Sequence, residues 1–348
     1  MRFIINKRIN KKIILKKIIF HSISIISYLF PTKLLIHLSR VRTVFLFYHL
    51  ISNNAPIHIK NLYSVRTEKK FRNDLKFLLK HFQYTTEIIR HNSSKKNYFH
   101  LSFDDGLKEC FEIIEPILNE NQIKAVFFIN SGFIDNKDLF YKYKVSIIIE
   151  KLKTEKINKQ NISHLSEILE CKTKLKTVIQ SVQTINYKNK YKLDRISEYL
   201  KINFIDYLKQ YEPYLTTNQI IKLKEKGHKI GAHSINHPEY FEIIEEEQIK
   251  QTTESLNEIK QQFDSEDNLF AFPFTDNLIK ISFFEKINRN FKNIYTFGTA
   301  GIKYDQIKNN IQRIPVEMFN KSAKTTIKTQ YILYILKKIF NRHLIKRK

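Results

Sequence analysis

Cysteine is scarce in this chain of 348 residues, with Cys110 and Cys171 the only two. That excludes a disulfide framework and a cysteine-rich metal knuckle. Glycine is scarce as well, six residues in all. With abundant Ile, Lys and Asn, this points to an AT-rich coding bias that accounts for part of the basicity. No Gly/Ser-rich or Pro-rich linker divides the sequence, and there is no internal repeat. A membrane-spanning run is missing too. The longest uncharged stretch of the N-terminal region, Ile18 to Thr32, has fifteen residues, including His21, three serines and Pro31. A span needs roughly 20 apolar residues. A basic start before an apolar run is compatible with a signal peptide, but Pro31-Thr32-Lys33-Leu34 offers no small-residue cleavage site.

Acid is absent from both ends. Residues 1–42 carry ten Lys/Arg and residues 319–348 carry nine, with no Asp or Glu in either. Together they hold nineteen of the formal +26. The middle, 43–318, is nearly balanced, with 41 basic and 34 acidic residues. The expected organisation is a basic apolar tail (1–42), a globular catalytic body (43–318) and a basic C-terminal helix (319–348). With 42% hydrophobic residues the body can bury a full core. Both tails read as segments meeting an anionic membrane surface, with solvated basic helices as the plainer alternative. Charge alone also suggests nucleic-acid binding. The balanced body and the Ile/Leu-rich tails disfavour it.

The body alternates short apolar runs with helical periodicity. Strands are expected at 43–48, 98–103, 125–130, 229–233, 269–273, 293–297 and 311–315. Helices are expected at about 68–82, 107–121, 217–226, 245–263 and 278–288. The order argues for an α/β fold with a parallel sheet, most simply a closed barrel. A Lys-rich, largely helical stretch from about 135 to 212 breaks the rhythm and reads as an insertion, a lid or partner surface.

Two clusters end strands. Ser102-Phe103-Asp104-Asp105-Gly106 follows the second, and His233-Ser234-Ile235-Asn236-His237-Pro238 follows the fourth. Adjacent carboxylates are costly unless neutralised, and a divalent cation would do so. Two histidines three residues apart can turn toward one ion, and a neighbouring carboxylate completes three ligands with open positions, as hydrolytic sites require. Alone, an Asp-Asp-Gly is usually a turn and a His-x-x-x-His is often incidental. Their joint placement carries the signal. His49, Asp104, Asp105, His233, Pro273 and Phe274 all fall at C-terminal strand ends, the face where β/α barrels build active sites. His81, His91, His164 and His228 fall on helices or their flanks and read as packing or solvated residues. Asn130 and Ser131 read as pocket-lining, and His58 as a candidate substrate contact.

These clusters resemble the first two motifs of the polysaccharide deacetylases that share the NodB homology domain (carbohydrate esterase family 4-like). SFDDG stands for the usual TFDDG, and HSINHP fits the second motif. Phe270-Ala-Phe-Pro-Phe274 is a degenerate third motif, and Gln312-Arg-Ile-Pro315 is similar to a late strand motif. The resemblance covers about 43–318 and implies a distorted (β/α)7-type barrel with the helical insertion. It implies a metal-dependent hydrolase removing N-acetyl groups from an amino-sugar glycan. Asp105, His233 and His237 would bind the metal, most simply Zn²⁺, with Co²⁺ or Ni²⁺ as alternatives, and Asp104 would be the general base. The backbone N–H of Phe274, beside Pro273, would bind the oxyanion. The motif-three arginine is replaced by Ala271, and Arg313 is expected to take its place beside Asp104. The usual C-terminal Leu-x-His acid is missing, and His343 is a poor substitute. Phe47-Tyr48-His49 resembles a subgroup with the acid on an N-terminal strand, which makes His49 the expected acid. An inactive glycan-binding relative is the alternative. The expected location is bacterial, peripheral at a membrane or in the cell envelope.

Overall fold

The computed structural model describes residues 15–88 and 95–348. The basic start of the N-terminal tail and His91 lie outside them. A parallel sheet forms the centre. Its strands are β1 (Thr43–Tyr48), β2 (Tyr98–Phe103), β3 (Val126–Ile129), β4 (Lys229–Ala232), β5 (Leu269–Ala271), β6 (Tyr295–Gly298), β7 (Asn310–Gln312) and β8 (Ile314–Pro315). The spatial order is β8-β1-β2-β3-β4-β5-β6-β7, and a two-residue strand, Gln83–Tyr84, adds to β2. Every pairing among these strands is parallel. β7 pairs with β6, β8 pairs with β1, and only Arg313 separates them. One interrupted strand therefore closes the barrel, giving the expected (β/α)7 form.

The period-2 rule of strands decides what faces the lumen. On β1, Val44, Leu46 and Tyr48 join the cluster under the outer helices, while Phe45 packs in the lumen with Val126, Phe128, Leu269, Ala271 and Phe297. On β2, Phe99, Leu101 and Phe103 face the helices. His100, Ser102 and Asp104 take the opposite parity. The helices arise as patterned. Glu68–His81 is capped by Thr67, whose side chain accepts from the Lys70 N–H. A π-helical turn, Cys110–Ile114, runs into Glu115–Glu120, and Pro116 stands at the junction of the two.

The segment after β3 is helical. Tyr141–Thr154, Lys159–Leu169, Leu175–Gln183, Tyr191–Tyr199 and Phe204–Tyr211 enclose an apolar core of their own. The chain rejoins the barrel where the Leu215 N–H donates to the Gly106 carbonyl at 2.9 Å.

The C-terminal segment corrects an expectation. Its apolar run is not a free arm but packs on the body. The helix Ala323–Ile339 buries Ile327, Tyr331 and Tyr334 in the main core. The Tyr331 hydroxyl donates to the Val41 carbonyl at 3.1 Å. Leu344–Ile345 then pairs in parallel with Tyr304–Asp305. Arg347 reaches Asp305 Oδ2 at 2.6 Å and also bonds Asp276. All three of these side chains are buried, so this tail cation is consumed by body carboxylates. Apolar periodicity cannot tell a core helix from an interfacial one, and here tertiary packing decides.

Candidate active site

The C-terminal ends of the strands gather the chemistry. Asp104 follows β2, its N–H donating to the Tyr48 carbonyl at 2.9 Å. Asp105 turns back at φ 75° and Gly106 at φ 64°, and a Cβ on Gly106 would stand 3.0 Å from Ile129 Cγ2. This sharp turn sends the two carboxylates to different partners.

Asp104 belongs to Arg313. The guanidinium forks onto it, Nη1 to Oδ1 at 2.7 Å and Nη2 to Oδ2 at 2.8 Å, and Nη1 also donates to Ser102 Oγ at 3.0 Å. Arg313 is fully buried and lies over the Phe47 ring at 4.3 Å. The break between β7 and β8 admits this large side chain to the lumen. Ala271 sits in the lumen on β5, too short to reach Asp104. Burial pushes the Asp104 carboxyl up, but Arg313, together with His233 and His49, more than offsets it and holds the pKa below the usual range.

Asp105 belongs to the histidines. Its Oδ1 lies 3.5 Å from His233 Nε2 and 3.2 Å from His237 Nε2. The three ligand atoms lie within 4.8 Å of one another, and all three residues are buried. The His233 Nδ1–H faces the Ala271 carbonyl at 2.7 Å, which leaves the Nε2 lone pair for an ion. Asp105 Oδ1 has no hydrogen-bond partner among the described residues. A buried carboxylate oxygen between two imidazole lone pairs is a donor set that fits a divalent cation. Burial disfavours charge on His237 and lowers its pKa, which suits a neutral ligand. Burial opposes ionisation of Asp105, but the neighbouring His237 and His233 hold its pKa well down. Asn130 donates to the His233 carbonyl and fixes the second loop.

His49 ends β1 and is held by Glu317, whose Oε2 lies 2.7 Å from Nδ1. The same carboxylate accepts from the N–H groups of His49 and Leu50, each at 3.2 Å. Burial pulls the imidazole pKa down, but Glu317, with Asp105 and Asp104 behind it, pushes it up to about 9. Tyr48 points the other way, its hydroxyl 3.1 Å from Asp74 Oδ2.

Pro273 and Phe274 follow β5. The Thr275 N–H closes on the Pro273 carbonyl at 2.6 Å, and Phe274 takes φ 57°. Its ring packs edge-on against His237 with centroids 4.7 Å apart. Among the described residues the Phe274 N–H makes no hydrogen bond. His58 does not reach the site. It is buried, with Nδ1 2.9 Å from the Tyr207 hydroxyl.

Three residues escaped the sequence reading. Glu317 is one. In the insertion, Tyr143 donates its hydroxyl to Asp105 Oδ2 at 3.1 Å. Tyr63, after β1, lies tilted beside His49 with ring centroids 5.5 Å apart. The continued register of β8 on β1, Phe47 with Pro315, places Glu317 opposite His49 and was the one signal that could have found it.

A parallel barrel with two carboxylates and three histidines at its C-terminal mouth, three of them placed to hold a divalent ion, is an arrangement suited to metal-dependent hydrolysis. The comparisons give the family. The profile described as polysaccharide deacetylase matches residues 91–282, more than half of the chain. The chain belongs to the polysaccharide deacetylase family. Its fold resembles the Streptococcus pyogenes deacetylase PplD in complex with acetate (TM-score 0.51, 14% identity, covering 83% of this chain and 98% of that one). It also resembles IcaB from Ammonifex degensii (TM-score 0.50, 12% identity, 83% and 97% covered). A third is BC0361, a polysaccharide deacetylase from Bacillus cereus (TM-score 0.50, 11% identity, 83% and 68% covered). At these identities the likeness is one of fold. No curated protein matches the chain.

Proposed function

We propose that the protein is a zinc-dependent deacetylase of an N-acetylated amino-sugar glycan, with Asp105, His233 and His237 as ligands. The observation that carries this is the buried triad beside an ionised, arginine-clamped Asp104. When bound, a divalent cation acidifies water and polarises a carbonyl. Asp104, held anionic by Arg313, takes the proton of the attacking water. The Phe274 N–H faces the developing oxyanion. His49, engaged by Glu317 at Nδ1, gives a proton from Nε2 to the leaving amine. Tyr143 fixes the orientation of the Asp105 carboxylate. The purified protein is expected to release acetate from N-acetylglucosamine oligomers, to stop after chelation and to resume with Zn²⁺ or Co²⁺. Acetate release that continues through exhaustive chelation would count against the metal.

The acid has its own test. His49 must be protonated to act, and its pKa of about 9 places the fall of kcat/KM on the alkaline side. Removing the Glu317 charge destabilises the imidazolium, so its pKa drops toward the ordinary value of about 6.5. In a Glu317→Gln enzyme the alkaline limb should move to lower pH, while the acidic limb stays. A pH–rate profile with both limbs unchanged would remove the pair from the mechanism.

A further inference from the structure

The helical hairpin before β1 is built inside out. In the segment Leu15–Leu29, Phe20, Ser24 and Ser27 are buried against the protein. The serine hydroxyls turn back onto carbonyls of their own helix, His21 O and Ser24 O, each at 2.7 Å. The opposite stripe is Leu15, Ile18, Ile19, Ile25, Ile26 and Leu29, at i, i+3, i+4 spacing, and it is exposed. Ile25 is 60% exposed and Leu29 is 80% exposed. After a bend of 112° the helix Thr32–Ser39 exposes Leu34 and Leu38, while Thr32 and Ser39 are buried beside Leu35 and Ile36. A helix on a water-soluble body turns its apolar stripe inward. Here Ser24 and Ser27 face the protein, while the outer stripe, interrupted only by exposed Ser22, is isoleucine and leucine.

The hairpin is seated on the C-terminal helix. Phe20 packs on Phe319 with centroids 5.1 Å apart, and the Tyr28 hydroxyl lies 3.3 Å from Thr325 Oγ1. Exposed Ile339 and Phe340 add to the apolar surface of the C-terminal helix. The charge is of one sign. Lys16, Lys17 and Lys33 flank the stripe, and residues 15–42 contain no acid. Burial, then Lys303 and Lys16, push the Lys337 ammonium down to about 8.

We propose that this face docks the enzyme on a lipid bilayer carrying anionic headgroups. An apolar stripe rimmed by lysines fits the boundary between acyl chains and negative headgroups. Among the described residues no single helix is long and apolar enough to cross, although the bent pair Leu15–Leu29 and Thr32–Ser39 is by length and composition; the seating of its inner face on the protein through Phe20 and Tyr28 favours the boundary over a span. Phe319, on which Phe20 rests, is two residues from Glu317, so the docked face adjoins the wall that holds His49. Only that last link rests on the active-site reading. The docking also fits an enzyme located at the cell envelope.

The test is co-sedimentation of the full chain with phosphatidylcholine vesicles, with and without phosphatidylglycerol, at low and high salt. Binding is expected only to the anionic vesicles and should weaken with salt. An Ile25→Asn/Leu29→Asn variant should lose it by roughly tenfold or more. These side chains point outward, so the variant should melt as the wild type does and release acetate from a soluble oligomer at the same rate. That control separates failure of docking from failure of the active-site reading. Docking is overturned if the variant still sediments, or if neutral vesicles bind equally well. It is also overturned if alkaline carbonate fails to strip the protein, which would indicate a span. The same holds if the wild type is a dimer that the variant dissociates, which would make a second copy the occupant.

Discussion

An Asp104→Asn enzyme should lose turnover by roughly 10²–10⁴-fold while keeping its metal, the range that general base catalysis supplies. The amide keeps the shape of the carboxylate but cannot take a proton. Metal content should stay at the wild-type level, because the proposed ligands are Asp105, His233 and His237. KM should change little, since the proton moves only in the transition state. Steady-state acetate release with metal analysis on the same sample checks both. Loss of metal together with activity would mean that Asp104 is a ligand.

The second large effect concerns Arg313. Its fork on Asp104 is fully buried, with both oxygens engaged at 2.7 and 2.8 Å. An Arg313→Met variant leaves a buried carboxylate unpaired, which costs roughly 3–5 kcal/mol of stability. Urea unfolding at neutral pH measures this. The sign of the pH effect follows from Asp104. Its folded pKa is depressed below the ordinary carboxylate value, so the pair contributes stability above the unfolded pKa. That contribution is lost as pH falls through the depressed value. Without Arg313, burial raises the Asp104 pKa, so the acidic limb of kcat/KM should move to higher pH. Arg313→Lys should not restore the wild-type enzyme, because an ammonium cannot make the fork. An unshifted acidic limb in Arg313→Met would separate the ion pair from the base.

Much of this site was legible in the sequence, for physical reasons. Asp104, Asp105, His49 and His233 each stand just past an apolar run. Strand parity alone puts Ser102 and Asp104 on one side and Phe103 on the other. Arg313 was legible only through the family resemblance, whose third motif carries an arginine where this chain has Ala271. Glu317 was not, because it meets His49 only through pairing of the first strand with the last. Nor was Tyr143, whose helix lies in the insertion and reaches Asp105 through tertiary packing. The C-terminal segment misled for a related reason. Its lysines and its run from Tyr331 to Leu336 look like a surface-seeking helix. Asp276 and Asp305, which engage Arg347, lie far away in sequence. The inverted hairpin was legible only as composition. Which side its isoleucines face is a property of the fold.

The central claim is that Asp105, His233 and His237 hold the metal that acetate release needs. The most direct measurement takes bound metal and acetate release together, on the wild type and on His233→Ala. The account predicts one equivalent of metal and turnover in the wild type. In the variant it predicts little bound metal and no turnover, with an unchanged fold by circular dichroism. A metal-free His233→Ala protein that still released acetate at the wild-type rate would contradict it.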